Sequence, residues 1–366
     1  MHVVVVGATG NVGISVVQAL SADPAVASIL GLARRQPHLR IEKTDWAGVD
    51  IRLHDLVPLF RGADAVVHLA WSIQPMRRAA ETWRSNITGM SRILDAVAAA
   101  EVPALIYASS VGAYSPRRDE RPVSEDWPTD GWPEAGYTRE KAYAERMLDE
   151  FVSTNPRCRV VRMRPAFIFQ RGAASEQRRL FAGPLLPNKL MRPGLIPVVP
   201  DTPELLLQAV HATDVAEAYR LAVSRDVSGP FNLAADPVLD SQGLAELLDA
   251  RKIRMPAQLL RTAAAMAWHL RLIPVQPQLV DAFLRLPVMD ATRAHDVLGW
   301  SPRYSSVEAL LEVLDGIRTA ADIDTPPLSR TAGGPLRIHE FTSGIGASDP
   351  VDRTPAPRIS NAVATQ

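Results

Sequence analysis

The chain has 366 residues, of which 47% are hydrophobic and 22% charged; that length suits two joined domains or one large α/β unit, and the composition excludes wholesale disorder and collagen-like repetition. Forty Lys+Arg balance forty Asp+Glu, so there is no net basic field to attract nucleic acid or an anionic membrane, although a localised patch stays open. The single cysteine, Cys158, rules out an intrachain disulfide and a multi-cysteine zinc site, so no metal is expected.

In chain order, His2-Val-Val-Val-Val6 is a continuous β-branched run of the kind buried on both faces of a parallel sheet. Gly7-Ala-Thr-Gly-Asn-Val-Gly13 follows, and residues 14–20 then read as helix. Apolar runs at 28–33, 43–49, 65–70, 104–109 and 160–165 alternate with helical stretches. In one of these Trp83, Ile87, Met90, Leu94 and Val97 recur at steps of three and four, and residues 134–151 show the same habit. This alternation predicts an α/β fold with a doubly wound parallel sheet over residues 1–165. From 166 to 322 the texture turns Pro-rich and less regular, which predicts a smaller, mainly substrate-binding C-terminal lobe with some segments returning to the sheet. Residues 325–366 carry six prolines and no apolar period, and read as a disordered tail. No segment reaches about 18 uninterrupted apolar residues, because Arg261 and Arg271 break the best candidate at 257–275, so no transmembrane segment and a cytoplasmic location are expected. The amphipathic stretch 257–271 reads as a lobe helix covering a pocket in preference to a membrane or partner contact.

The glycine turn carries the first functional signal. Gly7, Gly10 and Gly13 permit a tight turn, close approach of a pyrophosphate and close helix-on-strand packing, while the helix start offers N–H groups to the anion. Thr9, Asn11 and Val12 belong to the same expected dinucleotide contact surface. After the second strand the chain reads Gly31-Leu-Ala-Arg-Arg35, with no carboxylate for ribose hydroxyls. Arg34 and Arg35 therefore favour the 2′-phosphate of NADP over NAD, and Asp50 is a candidate partner for the adenine amino group.

The chemistry centres on Tyr137-Thr-Arg-Glu-Lys141, whose spacing places both functional side chains on one helix face, where the ammonium can lower the tyrosine pKa. Six tyrosines and only four lysines in the chain give roughly 0.07 such pairs by chance, so the pair is informative. Ser110, in Ala108-Ser-Ser-Val-Gly-Ala-Tyr114, follows a strand at the carboxyl edge of the sheet and could hold a substrate oxygen for proton exchange with Tyr137.

Taken together these motifs resemble the extended short-chain dehydrogenase/reductases, the NAD-dependent epimerase/dehydratase family, over about residues 1–320. Asp50-Ile51, His68-Leu-Ala70, Asn86-Ile-Thr-Gly89, Arg164-Pro165, His211-Ala-Thr-Asp-Val215, Asn232 and Leu298-Gly-Trp-Ser-Pro302 add to the match. The resemblance implies a seven-stranded Rossmann sheet, a catalytic tetrad of Asn86, Ser110, Tyr137 and Lys141 in which Asn86 orients Lys141, and a homodimer formed through helices of the dinucleotide domain. It also implies that Ile51, Leu69, Ala70, Trp71 and Pro165 join the cofactor site. His68 reads as a core histidine and Asp214 as structural.

Two departures shape the functional expectation. Where sugar-converting members continue Arg-Pro with a Tyr-Gly-Pro turn, this chain reads Arg164-Pro-Ala-Phe-Ile-Phe169, and Ser110 is followed by Val111 and Gly112 instead of the Asp-Glu pair of dehydratases. Val111, Phe167 and Ile168, with Phe169 and much of 185–199, would make an apolar substrate site, whereas a nucleotide-sugar diphosphate wants convergent cations. The leading expectation is an NAD(P)-dependent oxidoreductase transferring hydride at a secondary alcohol or ketone of a hydrophobic small molecule. The alternatives are a nucleotide-sugar 4-epimerase with tightly bound NAD, and a non-catalytic dinucleotide-binding regulatory protein.

Overall fold

In the computed structural model, which describes residues 1–183 and 185–333, the valine run His2–Val6 forms strand β1 at the middle of a sheet. Strands β2 (Ser28–Ala33), β3 (Thr44–Gly48), β4 (Ala65–His68), β5 (Ala104–Ala108), β6 (Arg159–Pro165) and β10 (Gly229–Leu233) complete it in the order β10-β6-β5-β4-β1-β2-β3, every pair parallel. The chain thus has a mixed α/β Rossmann-type fold, and its strand order reverses between β1 and β4, the position where open α/β sheets bind ligands.

Alternation along β1 explains the two cores. Val3 and Val5 pack with Val16, Val17 and Leu20 of the helix Asn11–Ala22, whereas Val4 and Val6 face Met90, Ile93 and Val97 of the helix Gly89–Ala99. A strand buried on both faces needs apolar residues throughout its buried length, and β1 has them from Val3 to Val6, with only His2 exposed at its start.

After β6 the chain leaves the main sheet, returning to it at β10. Strands β7 (Phe167–Phe169), β9 (Leu206–His211) and β11 (Ala235–Asp240) form a second sheet in the order β11-β9-β7, and β8 (Val198–Asp201) pairs with β12 (Arg251–Arg254). The helix Ser306–Thr319, opened by a Ser305/Glu308 capping box, buries Leu310, Val313 and Leu314 against Leu239 and Leu244. Asp214 is a structural anchor: one carboxylate oxygen accepts the backbone N–H groups of Arg303 and Tyr304, each at 3.0 Å.

The tail expectation needs correction at its start. Thr325 and Leu328 are buried, Leu328 in a cluster with Ile14 and Ala173, so the chain from Thr325 to Gly333 is packed against the Rossmann unit. The rest of the expected tail, 334–366, lies outside the described residues. Among the described residues no helix is long and apolar enough to cross a membrane.

Candidate active site

A cavity of 760 Å³ opens at the carboxyl ends of β1, β4, β5 and β6. One end is the glycine turn. Gly7 has φ +85°, and a Cβ there would stand 2.6 Å from the Ala70 nitrogen; a Cβ on Gly13 would stand 2.2 Å from the Gly7 carbonyl oxygen. Those two glycines let strand, turn and helix close on one another. Gly10 differs: the nearest atom to its hypothetical Cβ is 3.7 Å away, so its bare backbone leaves room in the cavity that a side chain would fill. The helix start has no side-chain cap, and Asn11, Val12 and Gly13 of its first turn line the cavity. An uncapped helix start behind a bare glycine fits a pyrophosphate.

At the adenosine end Arg34, Arg35 and Asp50 line the cavity as expected, together with Arg52, which the sequence reading missed. Asp50 does not offer a spare carboxylate to adenine. Arg52 Nε reaches its two oxygens at 2.9 and 3.1 Å, Nη2 reaches Oδ2 at 2.6 Å, and the Arg52 N–H adds a bond of 2.9 Å. The result is a rim of three guanidinium groups around one already engaged carboxylate.

The reactive end is built by one helix. Gly136–Thr154 carries Tyr137 and Lys141 one turn apart, and the Tyr137 hydroxyl donates to Ser110 Oγ at 3.0 Å. Lys141 Nζ donates to the Ala108 carbonyl at 2.6 Å and lies 3.6 Å from the centre of the Trp71 ring. Burial pulls the Lys141 ammonium down to about 7, against the pull of Glu145 and Glu140. Burial also pushes the Tyr137 phenol up, with the Ser110 hydrogen bond opposing it. The expected lowering of Tyr137 by Lys141 is therefore not what this geometry produces, because the ammonium is turned to Ala108 and desolvation dominates both groups.

Asn86, on a π-helical turn Arg84–Thr88, is brought near but in a different way from that expected. Its Oδ1 accepts the Ser72 N–H at 2.7 Å, and its two amide hydrogens go to the Ser72 carbonyl at 2.9 Å and Glu140 Oε2 at 2.6 Å. Both hydrogens are thus engaged away from Lys141, and the amide grips the Tyr137 helix through Glu140.

The helix is locked by a residue that sequence reasoning missed, Glu145, which is fully buried. Arg164 Nε and Nη2 donate to its two oxygens at 2.9 and 3.0 Å, Arg162 Nη1 adds a bond of 3.0 Å, and Ser109 Oγ one of 2.5 Å. This clamp joins the helix to the ends of β5 and β6 and so fixes Ser110 relative to Tyr137. A signal existed in the sequence: Glu145 lies four residues after Lys141, on the same helix face.

Of the other expected residues, Leu69, Trp71, Pro165, Val111, Phe167, Ile168 and Phe169 line the cavity. Thr9, Ile51 and Ala70 stand behind its wall: Thr9 is buried, Ile51 packs toward Gly89, and Ala70 backs Gly7. His68 is buried with both ring nitrogens lacking partners, and burial takes its pKa down to about 3, so it is a neutral core histidine. Among the described residues the cavity takes its further apolar lining from Leu180, Phe181, Leu279, Phe283 and Leu286, with none from 185–199. Glu176, also on the wall, is pushed up to about 7 by burial, against the attraction of Arg179. The packed C-terminal segment closes the glycine-turn side. Thr325 Oγ1 donates to the Thr9 carbonyl at 2.9 Å, Arg179 donates to the carbonyls of Pro327 and Ser329, and Pro326 and Pro327 line the cavity.

Comparison with known proteins follows the same geometry. The model of the NAD dependent epimerase/dehydratase family matches residues 3–234. The chain belongs to that family. An uncharacterized protein of Mycobacterium tuberculosis is 25% identical over 365 residues, covering 98% of this chain and 34% of its own length, so the chain spans about a third of that curated relative. A 4-hydroxy-2-methyl-3-oxo-4-farnesyl-3,4-dihydroquinoline-1-oxide ketoreductase of Stigmatella aurantiaca is 26% identical over 274 residues, covering 71% of this chain and 78% of its own. Among solved structures, UDP-glucose 4-epimerase from Thermus thermophilus in complex with NAD superposes with a TM-score of 0.63 at 19% identity, over 88% of this chain and 100% of that one. At that identity the likeness is one of fold. The cavity that joins the glycine turn to the Tyr137/Lys141 helix is lined by apolar side chains and also by charged ones, Arg77, Arg179 and Glu176 among them.

Proposed function

We propose that the protein is an NAD(P)-dependent oxidoreductase, preferring NADP(H), that interconverts a secondary alcohol and a ketone on a hydrophobic small molecule. The observation that carries this reading is the Tyr137–Ser110 hydrogen bond of 3.0 Å in one cavity with Leu180, Phe181, Leu279, Phe283 and Leu286. An acid/base hydroxyl pair sharing a cavity with apolar side chains suits a carbonyl carried on a greasy skeleton. The Stigmatella relative, whose name gives a farnesyl-bearing quinoline oxide as its ketone, supports the substrate class.

The residues at the glycine turn and at Arg34, Arg35 and Arg52 would hold the dinucleotide, with the guanidinium rim receiving the 2′-phosphate. Bound NAD(P) supplies the hydride donor or acceptor. In reduction Tyr137 gives its phenolic proton to the substrate oxygen, which Ser110 Oγ holds by a hydrogen bond. In oxidation the tyrosinate takes the alcohol proton from the same position. Lys141 donates to the Ala108 carbonyl at 2.6 Å, so in this arrangement it holds the Tyr137 helix against the end of β5. Asn86 is a positioning residue, acting through Glu140 on the helix that carries Tyr137 and Lys141. Glu176 places a carboxyl in the substrate wall, an unfavourable neighbour for a sugar-nucleotide diphosphate.

Calorimetric titration of cofactor-stripped protein with NADPH and NADH, followed by turnover on panels of ketones and nucleotide sugars, tests the reading. Tighter NADPH binding with net oxidation of the cofactor on apolar ketones is the expected result. Tight NAD with sugar interconversion and no net redox would replace it by the 4-epimerase, and binding without turnover on either panel would replace it by the regulatory protein.

A further inference from the structure

The helix Ala257–His269 packs Trp268 against the cluster of Val275, Leu279 and Ala282 and turns a second apolar stripe to solvent. Leu259, Met266 and Leu270, at steps of seven and four, share one face at 100° per residue, and they are 53%, 62% and 66% exposed. The opposite face turns inward. Arg261 reaches Asp281 of the neighbouring helix Pro277–Phe283 at 2.8 Å, and the Trp268 ring lies 3.6 Å beneath the Arg77 guanidinium carbon. No residue of this helix is fully buried. Leu272 and Ile253, on either side of it in the chain, are also exposed.

Charge singles out the same segment. Between Arg251 and Val275 the sequence has five Lys/Arg and no Asp/Glu, in a chain whose formal net charge is zero. Arg251, Lys252, Arg254, Arg261 and Arg271 are all exposed. Overall neutrality conceals a cationic stretch of chain that carries the outward apolar stripe, with Arg261 paired to Asp281 and Lys252 to Asp201 at 3.8 Å. The stretch also borders the cavity mouths, since Arg77 lines the large cavity and Trp268 a second, polar cavity of 330 Å³ that shares Tyr137 with it.

We propose that this face docks the protein on an anionic lipid surface, with the helix lying in the plane of the interface. Leu259, Met266 and Leu270 enter the boundary between headgroups and acyl chains, and the surrounding arginines meet lipid phosphates. The charge argues against a second copy of this chain as the occupant, because an isologous contact would set five cations against five. The docking does not depend on the oxidoreductase reading; where both hold, an apolar ketone leaves the lipid beside the cavity that receives it.

Flotation of the full chain with phosphatidylcholine vesicles, with and without phosphatidylglycerol, tests the docking without any turnover assay. The expected result is co-flotation only with the anionic vesicles, weakened by high salt. Arg254→Gln and Arg271→Gln should each weaken partitioning about fivefold. Met266→Asp together with Leu270→Asp should abolish it, with the melting temperature and ketone turnover in solution unchanged, since these side chains are exposed and outside the cavity wall. Flotation indifferent to phosphatidylglycerol, salt and both sets of substitutions would overturn the proposal. So would absence of flotation, including the case in which sedimentation velocity shows a dimer that Met266→Asp dissociates.

Discussion

The two walls of the cavity are built on different physics. On one side Ser110, Tyr137 and Lys141 are fixed by the Glu145 clamp, a buried carboxylate taking charged donors from Arg162 and Arg164 of β6 and a hydroxyl from Ser109 at the end of β5. Elsewhere on the lining, Leu180, Phe181, Leu279, Phe283 and Leu286 come from segments a hundred residues apart and meet the cavity through apolar surface. Charge-assisted hydrogen bonds are directional and leave an uncompensated charge when one partner goes, whereas apolar side chains of similar volume exchange at modest cost. A fold with one wall of each kind can keep its chemistry while its substrate changes.

The largest effect expected on the rigid wall is chemical. Tyr137→Phe removes the phenolic proton while keeping the ring edge-on to Trp71, and turnover should fall by about 10²- to 10⁴-fold with dinucleotide affinity nearly unchanged. Steady-state kinetics beside calorimetry reads both, and wild-type turnover in this variant would remove Tyr137 from the mechanism. Next is the clamp itself. Glu145→Ala leaves Arg164 buried without its carboxylate, and urea unfolding should show a loss of about 3–5 kcal/mol. By contrast Leu279→Met on the apolar wall should cost less than about 1.5 kcal/mol and change substrate preference more than stability.

The clamp also shows how much of the site is legible in sequence. The glycine turn, Ser110 and the Tyr137/Lys141 pair could be read because each depends on geometry within a few residues: a turn that tolerates no Cβ, or one helical turn. Glu145 lies at helical spacing from Lys141, yet its meaning depends on Arg162 and Arg164, whose β6 partner positions the sequence alone does not supply. Of the apolar residues expected at the pocket, Val111, Phe167, Ile168 and Phe169 follow directly on Ser110 and Pro165 and do line it, whereas Leu279, Phe283 and Leu286 are brought in by the fold from over a hundred residues away. Thr325 and Leu328 were hidden in the same way. One leucine in a Pro-rich run has no period, and its burial comes mainly from residues distant in sequence, Ile14 and Ala173, with Leu39, Ile41 and Trp46 around them.

The adenosine rim sharpens the comparison at intermediate size. If Arg52 serves the 2′-phosphate, Arg52→Gln should lower NADPH affinity about tenfold, a charged hydrogen bond of some 1.5 kcal/mol, and barely touch NADH. An equal loss for both cofactors would instead mean that Arg52 acts only by holding Asp50.

On the apolar wall, Glu176 makes a pH prediction with a definite sign. Its folded pKa of about 7 lies above the ordinary 4.5, so the folded state binds more protons between those values and stability falls as pH rises through that window. Glu176→Gln should flatten this part of the pH–stability curve, and KM for a neutral ketone should rise above pH 7 in the wild type only. A parallel slope in both proteins would locate the titration elsewhere.

The smallest effect concerns the segment that spans the two walls. Thr325 binds the Thr9 carbonyl within the glycine turn, and Pro326 and Pro327 close the cavity beside it. Thr325→Val keeps the shape and removes one neutral hydrogen bond, worth about 1 kcal/mol, so dinucleotide release measured by stopped-flow fluorescence should quicken by no more than about fivefold. Because Val is nearly isosteric, association should be unaffected, and Tyr137 chemistry measured in a single turnover should not change. If release is unaltered while the melting temperature drops, the segment belongs to the packing of Ile14 and Leu328 alone; if release quickens, the rigid wall's reach extends to the last described residues of the chain.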